Sequence, residues 1–283
     1  MAKDSKIEWC DHTANIFWGC VSVHEGCDNC YAEKLSHRWG NDVWGNDKPR
    51  KEIKSVWKDL IKFQKLAKEA NEIHTVFVGS MMDIFEKPMP LIDSDGNEVQ
   101  GKDTGFLRDL FFQQISAGIY PNLMFLLLTK RPSNINKYIP ESWKTSPPNN
   151  VMFGTSPVNQ ETADKLIPQL LRVKGRKFLS VEPQLSELSL ADYLWTPTNY
   201  CEECGTGGLH LKKPCDNICG FKPINWIING GESGHGKRPF NTDWARKLKE
   251  ECAYAGVPFF FKQIDKIQAI PKDLEIRQLP IYN

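Results

Sequence analysis

The sequence predicts an α/β fold, a partial (βα) TIM-like barrel of six to seven parallel strands interrupted by a small insertion. Three observations carry that prediction. The first is length: 283 residues can bury a sizeable core and suit one barrel-sized domain. The second is a series of seven short apolar runs, each ending in a polar cluster. The third is helical periodicity between those runs, which together give the strand–helix alternation of βαβ units.

Taken in chain order, residues 15–19 lead into Cys20, and residues 75–79 into Ser80, Met81, Met82 and Asp83. Residues 123–128 lead into Thr129, Lys130 and Arg131, and residues 151–154 into Thr155, Ser156 and Pro157. Residues 177–179 end in Ser180, Val181, Glu182 and Pro183, and residues 226–228 in Asn229, Gly230, Gly231, Glu232 and Ser233. Residues 258–261 precede Lys262 and Gln263. Such near-continuous apolar runs fit strands covered on both faces, which means a parallel sheet. Ligands of such sheets bind at the C-terminal strand ends, so the polar clusters are expected to converge on one rim.

Between the runs, residues 49–67 place Ile53, Val56, Trp57, Leu60, Ile61 and Leu66 on one helix face and lysines on the other. Residues 242–255 set Trp244, Leu248 and Cys252 at helical spacing. Residues 88–104, rich in Asp, Gly and Pro, read as a loop or lid. Residues 186–223 break the rhythm and read as an insertion, dividing the barrel into 1–185 and 224–283.

Lys+Arg is 36 and Asp+Glu is 35, a net charge of +1, which excludes a wholesale basic surface of the histone type. No apolar stretch approaches the roughly 18 residues of a membrane span. The first residues carry no apolar signal core. The expectation is a cytoplasmic protein with no membrane partner. Positive charge is concentrated locally: residues 48–68 hold eight Lys/Arg against two Asp/Glu. That helix face is either simply solvated or tracks a phosphate backbone.

Nine cysteines in such a chain do not resemble a disulfide framework. Cys10 and Cys252 stand alone and read as structural. Cys20, Cys27 and Cys30 form a C-x6-C-x2-C loop directly after the first apolar run. Three thiolates can hold three irons of a 4Fe–4S cluster and leave the fourth open. A closed zinc site with His24 or Cys10 as fourth ligand is the other reading. Cys201, Cys204, Cys215 and Cys219, in two close pairs with glycines beside them, read as a zinc knuckle. A second iron–sulfur cluster is its rival. A tetrahedral zinc would let this insertion fold without a core of its own.

The three-cysteine loop after the first strand of a partial barrel resembles that of radical S-adenosylmethionine (SAM) enzymes. A phage- and prophage-associated family of radical-SAM-like proteins is the closer likeness. The segments that carry it are Ile7-Glu8-Trp9, Trp18-Gly19-Cys20, residues 26–33, residues 128–132, Gly154-Thr155-Ser156 with Asn159-Gln160, residues 180–183, residues 230–234 with Arg238-Pro239, and residues 256–263. They extend over nearly the whole chain. The chain departs from the general radical-SAM pattern in three places. The first gap is six rather than three, Asn29 replaces the aromatic before the third cysteine, and residues 79–83 replace a Gly-Gly-Glu end to the second strand.

The resemblance implies that SAM chelates the open iron through its amino and carboxylate groups. An electron from a reductase or flavodoxin-type donor then cleaves the sulfonium, and the resulting deoxyadenosyl radical takes hydrogen from a substrate. On that reading Asp83 or Ser80 accepts from the amino group and Lys130 meets the carboxylate. Thr155, Ser156, Asn159 and Glu182 serve the ribose, while Gly230 and Gly231, with Glu232 beside them, let the backbone approach the ligand closely. The 88–104 loop would shield the radical. Arg131, Arg238, Lys262 and Gln263 are candidates to grip the substrate, expected to be nucleic acid or a nucleotide. Trp18 and Tyr31 are candidates to stack a base.

Plainer roles stand beside these. Gly230-Gly231 can be a tight turn, Asp83 a helix cap, and Glu182 the partner of Arg131 or Lys262. Two other functions fit parts of the pattern. One is a metal-dependent hydrolase using Asp83, Glu182 and Glu232, although only His235 of the six histidines lies near a rim cluster. The other is a non-catalytic zinc-binding protein of nucleic acid.

Overall fold

The computed structural model describes residues 7–194 and 224–282. Cys201, Cys204, Cys215 and Cys219 of the expected zinc knuckle lie outside the described residues.

The chain opens with β1 (His12–Ala14), β2 (Phe17–Trp18), α1 (Tyr31–Arg38), β3 (Arg50–Glu52), α2 (Val56–Ala70) and β4 (His74–Val78). There follow β5 (Pro90–Ile92), β6 (Glu98–Asp103), α3 (Thr104–Ser116), β7 (Leu123–Thr129), α4 (Ile135–Tyr138), α5 (Glu141–Thr145), β8 (Val151–Thr155), α6 (Gln160–Leu171) and β9 (Arg176–Val181). The last elements are α7 (Ala191–Leu194), β10 (Trp226–Gly230), α8 (Thr242–Ala255) and β11 (Phe259–Gln263). Seven strands form one sheet in the order β1-β4-β7-β8-β9-β10-β11. Every neighbouring pair in it is parallel. The sheet curls into a half-barrel, the coarse architecture expected from the alternation of runs.

Strand residues alternate between the two faces. One face carries Val76, Val78, Phe125, Leu127, Phe153, Leu179 and Val181 into a core shared with Leu60 and Phe63 of α2, Phe111 and Phe112 of α3, Ile167 of α6 and Leu248 of α8. The other face carries Phe77, Met124, Leu126, Met152, Phe178, Trp226, Ile228 and Phe260 into a separate cluster closed by Trp9 and Cys10. Trp9 packs there against Phe77, Trp226 and Phe178, with ring centroids 4.6, 6.1 and 6.5 Å apart. Gly154 makes this inner face possible: a Cβ there would stand 2.4 Å from the Phe178 ring.

The structure moves several boundaries. The first strand of the main sheet is His12–Ala14, just before the apolar run at 15–19, while Phe17–Trp18 turns away into a second, four-stranded sheet, β2-β3-β5-β6. Residues 88–104, expected to be a loop, contain the antiparallel pair β5–β6 of that sheet. The lysine-bearing helix begins at Val56 and buries Val56, Leu60, Phe63 and Ala67. Ile61, assigned to the apolar face, is 53% exposed. Leu188, Leu190 and Leu194 join the main core, so barrel packing continues beyond residue 185. Among the described residues no helix is long and apolar enough to cross a membrane.

Candidate functional site

A cavity of about 330 Å³ lies where the cysteine loop meets the C-terminal ends of the parallel strands. Cys20, Cys27 and Cys30 all line it. Its rim takes Ser80 and Asp83 from beyond β4, Lys130 and Arg131 from beyond β7, and Ser156 from beyond β8. Glu182 follows from β9, Gly231 and Glu232 from β10, and Lys262 from β11. Trp9, Phe77 and Leu128 form an apolar floor beneath.

The loop is built from local bonds and then tied to the sheet. Gly19 precedes Cys20 with φ of +118°, and a Cβ there would stand 2.2 Å from the Val43 carbonyl oxygen, so only glycine fits. His24 Nδ1 accepts from the Gly26 amide at 3.1 Å, and the Cys30 amide donates to the Cys27 carbonyl at 3.1 Å. Asn29 Nδ2 donates to Glu232 Oε2 at 3.1 Å and to the Gly236 carbonyl at 3.0 Å. The Tyr31 hydroxyl donates to the Ser80 carbonyl at 2.8 Å. These ties join the loop to the ends of two distant strands.

The electrostatics of the rim is a set of paired charges. Asp83 accepts from the Thr129 hydroxyl at 2.7 Å, the Phe85 amide at 3.0 Å, the Lys130 amide at 3.2 Å and Arg131 Nη1 at 2.8 Å. Arg131 in turn reaches Cys20 Sγ at 3.8 Å and the Val21 carbonyl at 2.7 Å. Glu232 is held by the Arg238 side chain and by its amide at 2.8 Å. Burial pushes the Glu232 carboxyl up, but the bonds from Arg238 and Asn29 outweigh it and hold its pKa below the ordinary range. Glu182 pairs with Lys262. Burial raises the Cys20 thiol to about 12, with the Asp83 charge adding to it, and burial also raises Cys30. In the metal-free chain both are protonated at neutral pH, so a metal that binds them must displace protons. Among the described residues no group of three or more His, Cys, Asp or Glu side chains is gathered as it would be around a metal ion. The three thiols share a cavity wall.

Other expected site residues have structural posts. Thr155 is buried and donates to the Thr129 carbonyl at 2.8 Å. Asn159 caps α6 in a capping box with Thr162 and touches Glu25 of the cysteine loop. Gly230 ends β10 below the rim, and Gln263 donates from a buried position to the Gly231 carbonyl at 3.0 Å. Arg238 stands behind Glu232. None of these five lines the cavity, nor does any residue of α2 or of 88–104. Trp18 stacks on Trp39 at 5.2 Å, outside the cavity lining, whereas Tyr31 lines it. Sequence reasoning missed the floor. Phe77 and Leu128 were detectable from strand alternation, because they share a face with Met124 and Leu126.

No curated protein and no solved structure matches the chain. A family profile described as "Protein of unknown function (DUF5131)" matches residues 4–275. That stretch covers nearly the whole sequence, so the chain belongs to this family.

Proposed function

We propose that the chain is a cytoplasmic radical SAM enzyme acting on a nucleic acid or a nucleotide, with a 4Fe–4S cluster held by Cys20, Cys27 and Cys30. One observation carries the reading: these three thiols line a single cavity at the C-terminal strand ends of a half-barrel. The donor set suits the group, since soft thiolates favour iron–sulfur clusters and three of them leave one iron for a ligand. When bound, the cluster and SAM supply one-electron cleavage of a sulfonium and a carbon radical that abstracts hydrogen.

The remaining roles belong to the chain itself. Asp83 has its acceptors occupied and orients Arg131 against Cys20, which makes it a positioning residue rather than the acceptor for an amino group. Ser80 and Glu182 remain on the wall as acceptors for amino or ribose groups. Glu232 and Asn29 fix the cysteine loop to β10. Trp9, Phe77 and Leu128 exclude water from the floor. An external one-electron donor of reductase or flavodoxin type completes the system. Zinc held by Cys201, Cys204, Cys215 and Cys219 belongs to the same proposal. A hydrolase using Asp83, Glu182 and Glu232 is less well supported, because each carboxylate already carries a cationic partner.

Anaerobic purification tests this. The protein is expected to be brown, with broad visible absorbance that dithionite bleaches and Cys27→Ala abolishes. Colourless protein carrying two equivalents of zinc overturns the reading.

A further inference from the structure

We infer that Lys130 and Ser156 form a phosphate subsite in the cavity wall, and that the ligand it takes is a nucleoside monophosphate. This deepens the nucleotide part of the proposed function. It does not depend on the cluster.

The first observation is juxtaposition. Thr129 and Thr155 are register partners at the ends of β7 and β8, and Lys130 and Ser156 are the residues immediately beyond each strand. Both line the cavity. The second is a missing partner. Ser156 is 1% exposed, and among the described residues its Oγ has no hydrogen-bond partner. A buried hydroxyl without a partner is costly, so a wall residue of this kind points to a ligand.

The third is charge. Asp83 is paired with Arg131, Glu182 with Lys262 and Glu232 with Arg238. Among the described residues the Lys130 ammonium has neither an ion pair nor a hydrogen bond; of the cavity-lining cations it shares this with the exposed Lys266, whereas Arg131 and Lys262 are paired. The ligand group it faces is therefore an anion.

A compact ammonium with a neighbouring hydroxyl can meet several tetrahedral oxygens of a phosphate at once, and the methionine arm of the test below separates phosphate from carboxylate. Trp9 and Phe77, packed on each other at 4.6 Å, also line the cavity. A cavity of about 330 Å³ is of the size that holds a small ligand.

The experiment titrates the full-length protein, metal-free and cluster-loaded, with AMP, inorganic phosphate, adenosine and methionine, reading the fluorescence of the cavity tryptophans. AMP is expected to bind wild type and to weaken about tenfold in Lys130→Met and about fivefold in Ser156→Ala, with Lys130→Arg within about threefold of wild type. Adenosine is expected to bind wild type and Lys130→Met alike. Circular dichroism confirms that each variant is folded. The inference fails if neither AMP nor phosphate binds, or if AMP binds all variants equally. It also fails if Lys130→Met loses methionine and keeps AMP, which would make the pair a carboxylate subsite. Colourless protein that binds AMP through Lys130 would defeat the radical reading and leave this inference standing.

Discussion

Alternate residues of the same seven strands build two unlike surfaces. On the helix-covered face, Phe125 stands edge-on to Phe111 at 5.2 Å and to Tyr120 at 5.7 Å, with no exposure at all. On the inner face no helix contributes to the cluster among the described residues; Trp9 closes one part, and the floor residues Phe77 and Leu128 line the cavity. The helix-covered face is filled to the density of an interior. The inner face leaves room for a ligand and arranges paired charges around it. Burial on both faces stabilises the fold, and the inner face opens only near the C-terminal strand ends, where the cavity lies.

The largest expected effect separates the two faces directly. Phe125→Ala is expected to lower stability by about 3–5 kcal/mol, because the void it leaves is enclosed on all sides. Phe77→Ala removes the same atoms from a residue that borders the cavity, so water can enter the gap, and about half that loss is expected. Urea denaturation of the metal-free protein measures both. Equal losses would mean that the inner face is as tightly sealed as the outer one.

The same contrast explains what could be read from the sequence. Six of the main-sheet strands lie on apolar runs because both of their faces are covered, as at Leu123–Thr129 and Val151–Thr155. The first strand was harder to find. His12 does not read as apolar, yet it stacks on Phe63 at 4.0 Å and bonds to His74 at 3.0 Å. The second sheet was invisible because Arg50–Glu52 has no apolar alternation, and the turn residues of 93–97 mask the β5–β6 pairing. The three cysteines and most rim residues were legible because strand ends announce themselves. One partner was named from the sequence, Lys262 for Glu182; the others were not, since Asn29 and Glu232 are 203 residues apart and Asp83 and Arg131 are 48 apart. Spacing along the chain carries no trace of such contacts. Thr155 and Gln263 show the converse, since polar residues at strand ends can be used up by the backbone of a neighbour.

A smaller effect tests the helix-covered face where it is chemically least suited to its place. Lys177, in register with Phe153, is buried and donates to the Gly175 carbonyl at 2.8 Å. Burial lowers its pKa from 10.5 to about 8. The folded chain therefore holds this ammonium less readily than the unfolded chain does. Its contribution to stability is full above pH 10.5, where both states are neutral, and is lost as pH falls through 8. Lys177→Met is expected to raise stability at pH 7 by up to about 3 kcal/mol and to flatten the rise in stability between pH 7 and pH 10. Denaturant midpoints at the two pH values measure it. An unchanged slope would mean that the ammonium is satisfied where it lies.

The smallest effect on stability is expected at the rim. Lys262 and Glu182 pair with side chains 13% and 17% exposed, whereas Arg50 and Glu86 pair at 0% and 2% with two bonds of 2.9 and 2.7 Å. The buried pair is part of the fold's framework, and removing one partner there would strand a charge. The rim pair borders the cavity, so a freed Glu182 keeps access to solvent. Lys262→Met is therefore expected to lower stability by less than about 1 kcal/mol. Its larger consequence is electrostatic: the rim loses one cation and gains an unpaired carboxylate, so AMP affinity is expected to fall even though the Lys130–Ser156 pair is untouched. Thermal melting and AMP titration of this one variant read the two effects separately. A large drop in melting temperature would assign the rim to the framework, and the contrast between a sealed face and an open one would then end below the level of the cavity.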